Sequence, residues 1–394
     1  MAIKILQVID NWYPIVDGVV NDVNNHARIL NTYDDVVCDV LCPNYPNTND
    51  GSGNYKIIRC LSMSGGKFGV RLPLPMFDVK LHKYLRENHY DLIHVHSPVT
   101  LARTVVRYAK KNNIPVLFTA HTKFHEEINR SVHLKCLQQF ALNFILNPIR
   151  KMDYIWSVSD GMTECMQREY KINLPCKTVR NGVDVVVPSN DILNEVKQSL
   201  YEKYNIAEDE KLLLFVGRVV VVKNISFLID STKVLIDRGE KYRLVIVGDG
   251  DYRVELEKQV EKLGLQNKVI FAGMITDKQR LSAYYKLCDL FVFASTFDTF
   301  GLVTREAASF HLPALFAKGS IASEQITDNR NGFIAELDTD KWADRIVEIF
   351  DNTEVLQQVK NTCSIELYES WEQVIAKVFV MYKDIINDWN NKNK

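Results

Sequence analysis

Leu290-Phe-Val-Phe-Ala-Ser-Thr-Phe-Asp-Thr-Phe-Gly-Leu-Val-Thr-Arg-Glu-Ala-Ala-Ser-Phe310 joins a strand-like run to a helix-like one. Leu290 to Ala294 is an unbroken apolar run of strand length, and Val303 to Phe310 carries a short helical pattern stopped by Pro313. An all-apolar strand feeding a helix through a short loop is the unit of a parallel sheet covered on both faces. Within the loop and helix, Asp298 and Glu306 bracket seven residues, with Phe300-Gly301-Leu302 between them. One carboxylate sits in the loop and the other in the helix. Between them lies a row of backbone N–H groups at a helix N-terminus, which suits an anion. The spacing alone carries little, because any strand-loop-helix can hold two acids by chance.

Outward from this unit the same pattern recurs. The first half gives apolar runs at Ile3–Ile9, Val36–Leu41, Leu92–His96, Val116–Thr119 and Ile155–Val158. The second gives Leu212–Val216, Leu244–Val247, Val269–Phe271, Leu290–Phe293, Ala314–Phe316 and Phe333–Ala335. Longer amphipathic stretches separate them. Strands alternating with helices predict an α/β fold with doubly wound parallel sheets. Two such series predict two Rossmann-like domains, with the break in Val185–Asn194, where Pro188-Ser-Asn-Asp191 punctuates the chain. The expected division is 1–187 for the first domain and 188–371 for the second, with the C-terminal helices 372–394 rejoining the first. The helix from Ile225 is expected to be capped by Asn224 and ended by Gly239.

The 394 residues are 46% hydrophobic and 25% charged, enough for two or three well-buried cores. A net charge of −1 gives no global reason to bind nucleic acid or an anionic membrane. The 8 cysteines are scattered without a CxxC pair, which argues against a metal site or a disulfide framework and for buried thiols in a reducing cytoplasm. The apolar start, Met1 to Ile9, is too short for a signal peptide and reads as a first strand. No run approaches the ~18 apolar residues of a membrane helix.

In open parallel sheets, ligands bind outside the carboxyl ends of the strands, so each candidate is weighed by whether it follows one. Gly217 and Arg218 follow Leu212–Val216, and Lys223 stands just before Asn224. Two cations and a helix N-terminus gather there, where a diphosphate fits. Gly248-Asp249-Gly250 follows Leu244–Val247 and allows close approach of a ligand, though such a turn suits any strand-to-helix connection. Gly18 follows the first strand and the Trp12-Tyr-Pro14 loop; by itself it reads as a helix-start glycine. His121 ends the Val116–Thr119 strand; by itself a lone histidine reads as a satisfied side chain. His96 ends another strand, while His94 reads as core. Asn181-Gly182-Val183-Asp184 reads as a turn at the domain junction. A nucleotide sugar reconciles acids with an anion site. Its diphosphate needs N–H groups and cations, and its hydroxyls need carboxylates.

Taken in order, these pieces resemble the retaining glycosyltransferases of family 4, whose fold of two Rossmann-like domains facing across a cleft is called GT-B. The resemblance covers nearly the whole chain: "WYPIVDGVVNDV", "DLIHVHSP", "FTAHTKFHEE" and "VRNGVD", then "FVGRVVVVKN", "VIVGDGD", "VIFAGMI", "YYKLCDLFVFASTFDTFGLVTREAA" and "NRNGFIAE". It implies a cytoplasmic enzyme, with the inner face of a membrane as the alternative location. That enzyme would move a hexose from a nucleotide sugar, UDP-linked by family frequency, to a glycan or a lipid-linked acceptor, with no cofactor and no metal. Arg218 and Lys223 match the cations on the donor diphosphate. Glu306 matches the acid that holds the ribose, and Asp298 the acid that contacts the transferred sugar. Phe300, Gly301 and Leu302 match backbone donors to sugar and phosphate, alongside Gly217 and Gly248. Gly18 matches the loop glycine that closes over the diphosphate, and His121 the histidine beside the sugar.

Three departures from the family pattern stand out. Asp298 replaces a glutamate; Phe310-His311-Leu312-Pro313 replaces a small residue and glycine before the proline; Gly319 to Glu324 replaces a Gly-Gly turn. A nucleotide-sugar epimerase and a non-catalytic partner subunit are the alternative readings. The full motif order argues against the first, and retention of Arg218, Lys223 and Glu306 against the second. Acceptor contacts are expected at Gly65-Gly-Lys-Phe-Gly-Val-Arg71 and in the helical region Arg130 to Arg150. That region reads first as a core-packing helix, and alternatively as a peripheral membrane contact.

Overall fold

The computed structural model describes residues 2–15, 17–46, 53–65, 71–132, 134–296 and 301–393. It divides into two compact units, one formed by Met1–Asn181 with Trp371–Lys394 and the other by Gly182–Ser370. The division falls at Asn181-Gly182 rather than at the Pro188 punctuation. The reason is local: the Val183 N–H bonds the Glu369 carbonyl at 3.0 Å and Val183 bridges Ser370, which ties the junction to the second unit.

The first unit contains β1 (Ile3–Val8), β2 (Val36–Pro43), β3 (Ile57–Cys60), β4 (Ser62–Ser64), β5 (Arg71–Pro73), β6 (Leu92–Val95), β7 (Val116–Ala120), β8 (Tyr154–Ser157) and β9 (Cys176–Thr178). Seven of these form a parallel sheet in the order β3-β2-β1-β6-β7-β8-β9, while β4 and β5 pair as a small antiparallel ribbon. Successive residues of a strand face opposite sides, and the two faces have separate cores. Leu6, Val8 and Phe118 join one, with Leu101 and Val105 of helix Thr100–Asn112. Ile5, Leu92 and Leu117 join the other, under Val20 and Val23 of helix Gly18–Leu30 and Val374, Ile375 and Val378 of helix Trp371–Lys392.

The second unit contains β10 (Lys211–Val216), β11 (Tyr242–Val247), β12 (Val269–Gly273), β13 (Leu290–Phe293), β14 (Ala314–Ala317) and β15 (Phe333–Ala335). They form a parallel sheet in the order β12-β11-β10-β13-β14-β15 around one core. In each sheet the strand order reverses beside the unit's first strand, at β1/β6 and at β10/β13. These are the switch points where such sheets bind ligands.

Asn224 does not cap its helix. It precedes Ile225–Asp237 in the left-handed region (φ 56°), its side chain accepts no hydrogen bond from the helix N–H groups, and its amide donates to the Ala294 carbonyl at 3.3 Å. Gly239 follows that helix with φ 84°, as a C-terminal glycine should.

Gly248 is sterically obligatory. Its N–H bonds the Gly273 carbonyl at 2.8 Å, and a Cβ there would lie 1.9 Å from the Gly217 carbonyl oxygen. A Cβ on Gly18 meets nothing within 4 Å. Gly248→Ala should therefore cost about 1–3 kcal/mol, whereas Gly18→Ala should leave stability unchanged. Urea midpoints of the two variants check this; equal midpoints would contradict it.

Candidate active site

At the second unit's switch point, two loops are stitched together through their backbones. The Gly217 N–H bonds the Val247 carbonyl at 3.0 Å, and the Val219 N–H bonds the Asp249 carbonyl at 3.0 Å. Side chains tie the same segment to the end of β13. The Ser295 hydroxyl donates to the Val222 carbonyl at 3.1 Å, alongside the Asn224 contact with Ala294. Arg218 is exposed on this platform. Lys223 is half-buried, with its ammonium 5.7 Å from the centre of the Phe293 ring.

After β13, Gly301 adopts the left-handed region (φ 61°) and helix Leu302–Ser309 begins, so Leu302 and Glu306 stand one turn apart on it. Glu306 accepts the Tyr285 hydroxyl at 2.8 Å. Burial pushes its carboxyl above the usual range, opposed by that hydrogen bond and by the Lys278 charge. Tyr285 in turn stacks on Phe310 with centroids 6.0 Å apart and planes within 7°. Phe310 thus fills the place expected of a small residue by bracing the tyrosine that holds Glu306. His311 takes the left-handed position (φ 57°) expected of the glycine and contacts the Lys360 carbonyl at 3.1 Å. Asp298 and Phe300 lie outside the described residues, as does most of Gly65–Arg71.

The first unit's switch point is a buried polar layer. Gln7 of β1, His94 and His96 at the end of β6, and Thr119 and His121 at the end of β7 alternate on the face covered by the first and last helices. Asp22 and His26, four residues apart on helix Gly18–Leu30, and Tyr382 on the last helix complete it. The Tyr382 hydroxyl lies 2.6 Å from His94 Nδ1, 3.1 Å from His26 Nδ1 and 3.2 Å from Gln7 Nε2. His94 Nε2 meets the Thr119 hydroxyl at 2.6 Å. His96 Nε2 meets Gln7 Oε1 at 2.7 Å, and its Nδ1 lies 3.0 Å from His121 Nε2 and 3.3 Å from Asp22 Oδ2. The expected core role of His94 and strand-end position of His121 are both seen. Asp22, His26, Gln7, Tyr382 and Tyr285 are partners that sequence reading passed over. The period-two His94/His96 and the i,i+4 pair Asp22/His26 were the available signals.

Asp22, His96 and His121 offer ligand-type atoms within 4.8 Å of one another, as do His125, Cys165 and Glu169. In the second, the Tyr170 hydroxyl sits 2.8 Å from His125 Nδ1, and burial pushes the Cys165 thiol up to about 11. All eight cysteines are free.

The helical region 130–150 packs on the core through its C-terminal half, where Ala141, Leu142 and Ile145 join Leu146 and Ile149 against one face of the sheet. Helix Lys135–Ile149 buries only Leu146, Pro148 and Ile149, while Leu137, Phe140 and Phe144 are exposed, as is Leu134 before it. Its apolar residues run all round, so one face has no core to meet. Met76, Phe77 and Val79 are also exposed; their segment and helix Lys135–Ile149 both pack on helix Thr100–Asn112. No helix among the described residues is long and apolar enough to cross a membrane.

Two parallel-sheet units of Rossmann type, with a cation-bearing loop and an acid-bearing helix at one switch point, define a glycosyltransferase of the GT-B class. The chain belongs to glycosyltransferase family 4: residues 16–187 match the model described as Glycosyltransferase Family 4, and residues 196–364 match Glycosyl transferases group 1. It is similar to the alpha-monoglucosyldiacylglycerol synthase of Acholeplasma laidlawii, 23% identical over 97% of this chain and 96% of that one. The Streptococcus pneumoniae enzyme of the same name is 26% identical over 76% of this chain and 68% of its own length. Among solved structures, sucrose-phosphate synthase from Thermosynechococcus elongatus superposes with a TM-score of 0.75 at 19% identity, covering 98% of this chain and all of that one, 100%. Anabaena HepE in complex with UDP and glucose gives 0.69 at 19% identity, covering 97% and 99%.

Burial lowers every histidine of the polar layer: His26 and His121 to about 4, His96 to about 3, and His94 well below its ordinary value of 6.5. Each is neutral when folded and charges when unfolded. Stability from this layer is therefore complete above pH 6.5 and lost as pH falls toward 4, by about 1.4 kcal/mol per pH unit per ring. Urea midpoints should fall steeply between pH 6.5 and 5; a flat profile there would contradict the neutral layer.

Proposed function

We propose that this chain is a retaining hexosyltransferase, moving a hexose from a UDP-sugar to a lipid-linked acceptor at a membrane surface. The observation that carries the donor half is the second unit's switch point, where Arg218, Lys223, a glycine-built backbone platform and the Tyr285-held Glu306 gather. Arg218, Lys223 and the start of helix Leu302–Ser309 stabilise the charge that builds on the leaving diphosphate. Glu306 takes the ribose hydroxyls, and Asp298 the transferred sugar. The two cations do the work a metal would otherwise do, and no cofactor takes part. On this reading, His121 is the sugar-side histidine and Gly18 the loop glycine that the family resemblance implies. Retention proceeds by front-face attack, with the leaving diphosphate accepting the acceptor's proton; a trapped sugar adduct on Asp298 or Glu306 would replace this with double displacement.

The lipid acceptor is supported by the exposed apolar face of helix Lys135–Ile149 and by the likeness to two glycolipid synthases. On this reading the enzyme is cytoplasmic and works at the inner leaflet.

Arg218→Ala or Lys223→Ala should each lower transfer by roughly one to three decades, about 2–4 kcal/mol, with the fold intact by circular dichroism. Near-normal turnover by either would sink the diphosphate assignment. A panel of UDP-, GDP- and ADP-sugars, scored by donor hydrolysis and thermal stabilisation, identifies the base; no response to any of them favours a non-catalytic subunit. The membrane contact is checked separately. The wild type should float with anionic liposomes, and Leu137→Glu with Phe140→Glu should not, while both keep donor hydrolysis. Equal flotation would refute the apolar face.

A further inference from the structure

We propose that Asp22 is a positioning residue which, with Gln7 and His96, locks His121 in the Nε2–H tautomer, so that its Nδ1 lone pair accepts a hydrogen bond from a hydroxyl group of the bound sugar substrate. The inference deepens the functional reading above and rests on His121 facing the ligand.

The proton order follows from the chain of contacts. The Gln7 amide nitrogen points to Tyr382 (3.2 Å) and to Cys38 Sγ (3.7 Å), which leaves Oε1 against His96 Nε2 at 2.7 Å. An amide oxygen only accepts, so His96 Nε2 carries that ring's proton. Burial opposes a second proton on His96, which leaves Nδ1 as an acceptor. Two atoms face that lone pair, Asp22 Oδ2 at 3.3 Å and His121 Nε2 at 3.0 Å. A carboxylate has no proton to give. The one donor of this triangle is therefore the His121 Nε2–H, pointed at His96 Nδ1 and, at 3.7 Å, at Asp22 Oδ2.

Asp22 is 2% exposed, and its ion-pair partners are the rings of His26, His96 and His121. A buried anion surrounded by neutral imidazoles favours whichever tautomer turns an N–H toward it. His121, directly after β7 with its side chain 8% accessible, is left with Nδ1 as its acceptor atom. A ring in this state cannot serve as the proton donor to the leaving diphosphate. It recognises a hydroxyl donor, the group that a hexose supplies in quantity. The two rings stack with centroids 5.3 Å apart and planes within 23°, which holds the His121 edge in place.

The test is long-range ¹H–¹⁵N correlation on the full chain labelled with ¹⁵N-histidine at pH 7.5, with His121 assigned through His121→Gln. The expected wild-type spectrum shows His121 protonated at Nε2 and unprotonated at Nδ1. Asp22→Asn should move that ring toward the other tautomer and lower kcat about tenfold, leaving the KM for the nucleotide sugar within about threefold, a loss of ~1.4 kcal/mol in the transition state. Asp22→Leu, which removes the acceptor outright, gives the same readout if the isosteric change is masked by amide rotation. A wild-type His121 protonated at Nδ1, or a tautomer unmoved in both variants, overturns the proposal. If the tautomer is as stated but His121→Gln transfers at the wild-type rate, the ligand half fails while the donor site at Arg218 and Lys223 stands untouched.

Discussion

The hydroxyl of Tyr382 is the contact on which the first unit depends. It reaches from the last helix of the chain into the sheet that the first strand begins, and meets His94, His26 and Gln7 together. Its ring stacks on Trp156 with planes within 10°. Buried polar groups are tolerable only when paired, and without this hydroxyl three of them lose a partner at once. The C-terminal helix is therefore a structural member of the first unit, not an appendage, and the histidine layer beneath it is what presents His121 at a strand end.

The second unit solves a different problem. At its switch-point edge the chain is built from glycines that lie directly against neighbouring carbonyls. Gly248 against Gly217 and Gly250 against Val219 leave no room for a side chain. Ser295 and Asn224 then pin this platform to the end of the adjacent strand.

Much of this was legible in the sequence, and the misses have physical reasons. The long apolar strands were readable because a sheet buried on both faces has no polar alternation to confuse the pattern. The strands passed over, β3 and β9, are three or four residues long at the sheet edges, and β4 and β5 form a separate three-residue ribbon; none has an apolar run to announce it. Asn224 looked like a cap because caps are asparagines, but the neighbouring strand's carbonyl competed for its side chain. Helix Lys135–Ile149 is apolar all round, and only the fold reveals that Leu142, Leu146 and Ile149 meet the core while Leu137, Phe140 and Phe144 are exposed. Phe310 and His311 depart from the family's small residue and glycine, and the fold supplies the reason: Phe310 stacks on Tyr285, and His311 takes the left-handed position after the helix.

The sequence by itself determined the two series of strands, the family motifs and the placing of Arg218, Lys223, His121 and Glu306 beside strand or helix ends, because hydrophobic periodicity and local turn chemistry are properties of neighbours in the chain. The tertiary structure alone decided the strand order that makes those ends switch points, the return of Trp371–Lys392 to the first unit, and the pairing of Tyr285 with Glu306 and of Asp22 with His121. Those contacts join residues 21 to 375 positions apart. Their geometry is set by how sheets and helices pack, which no local pattern encodes.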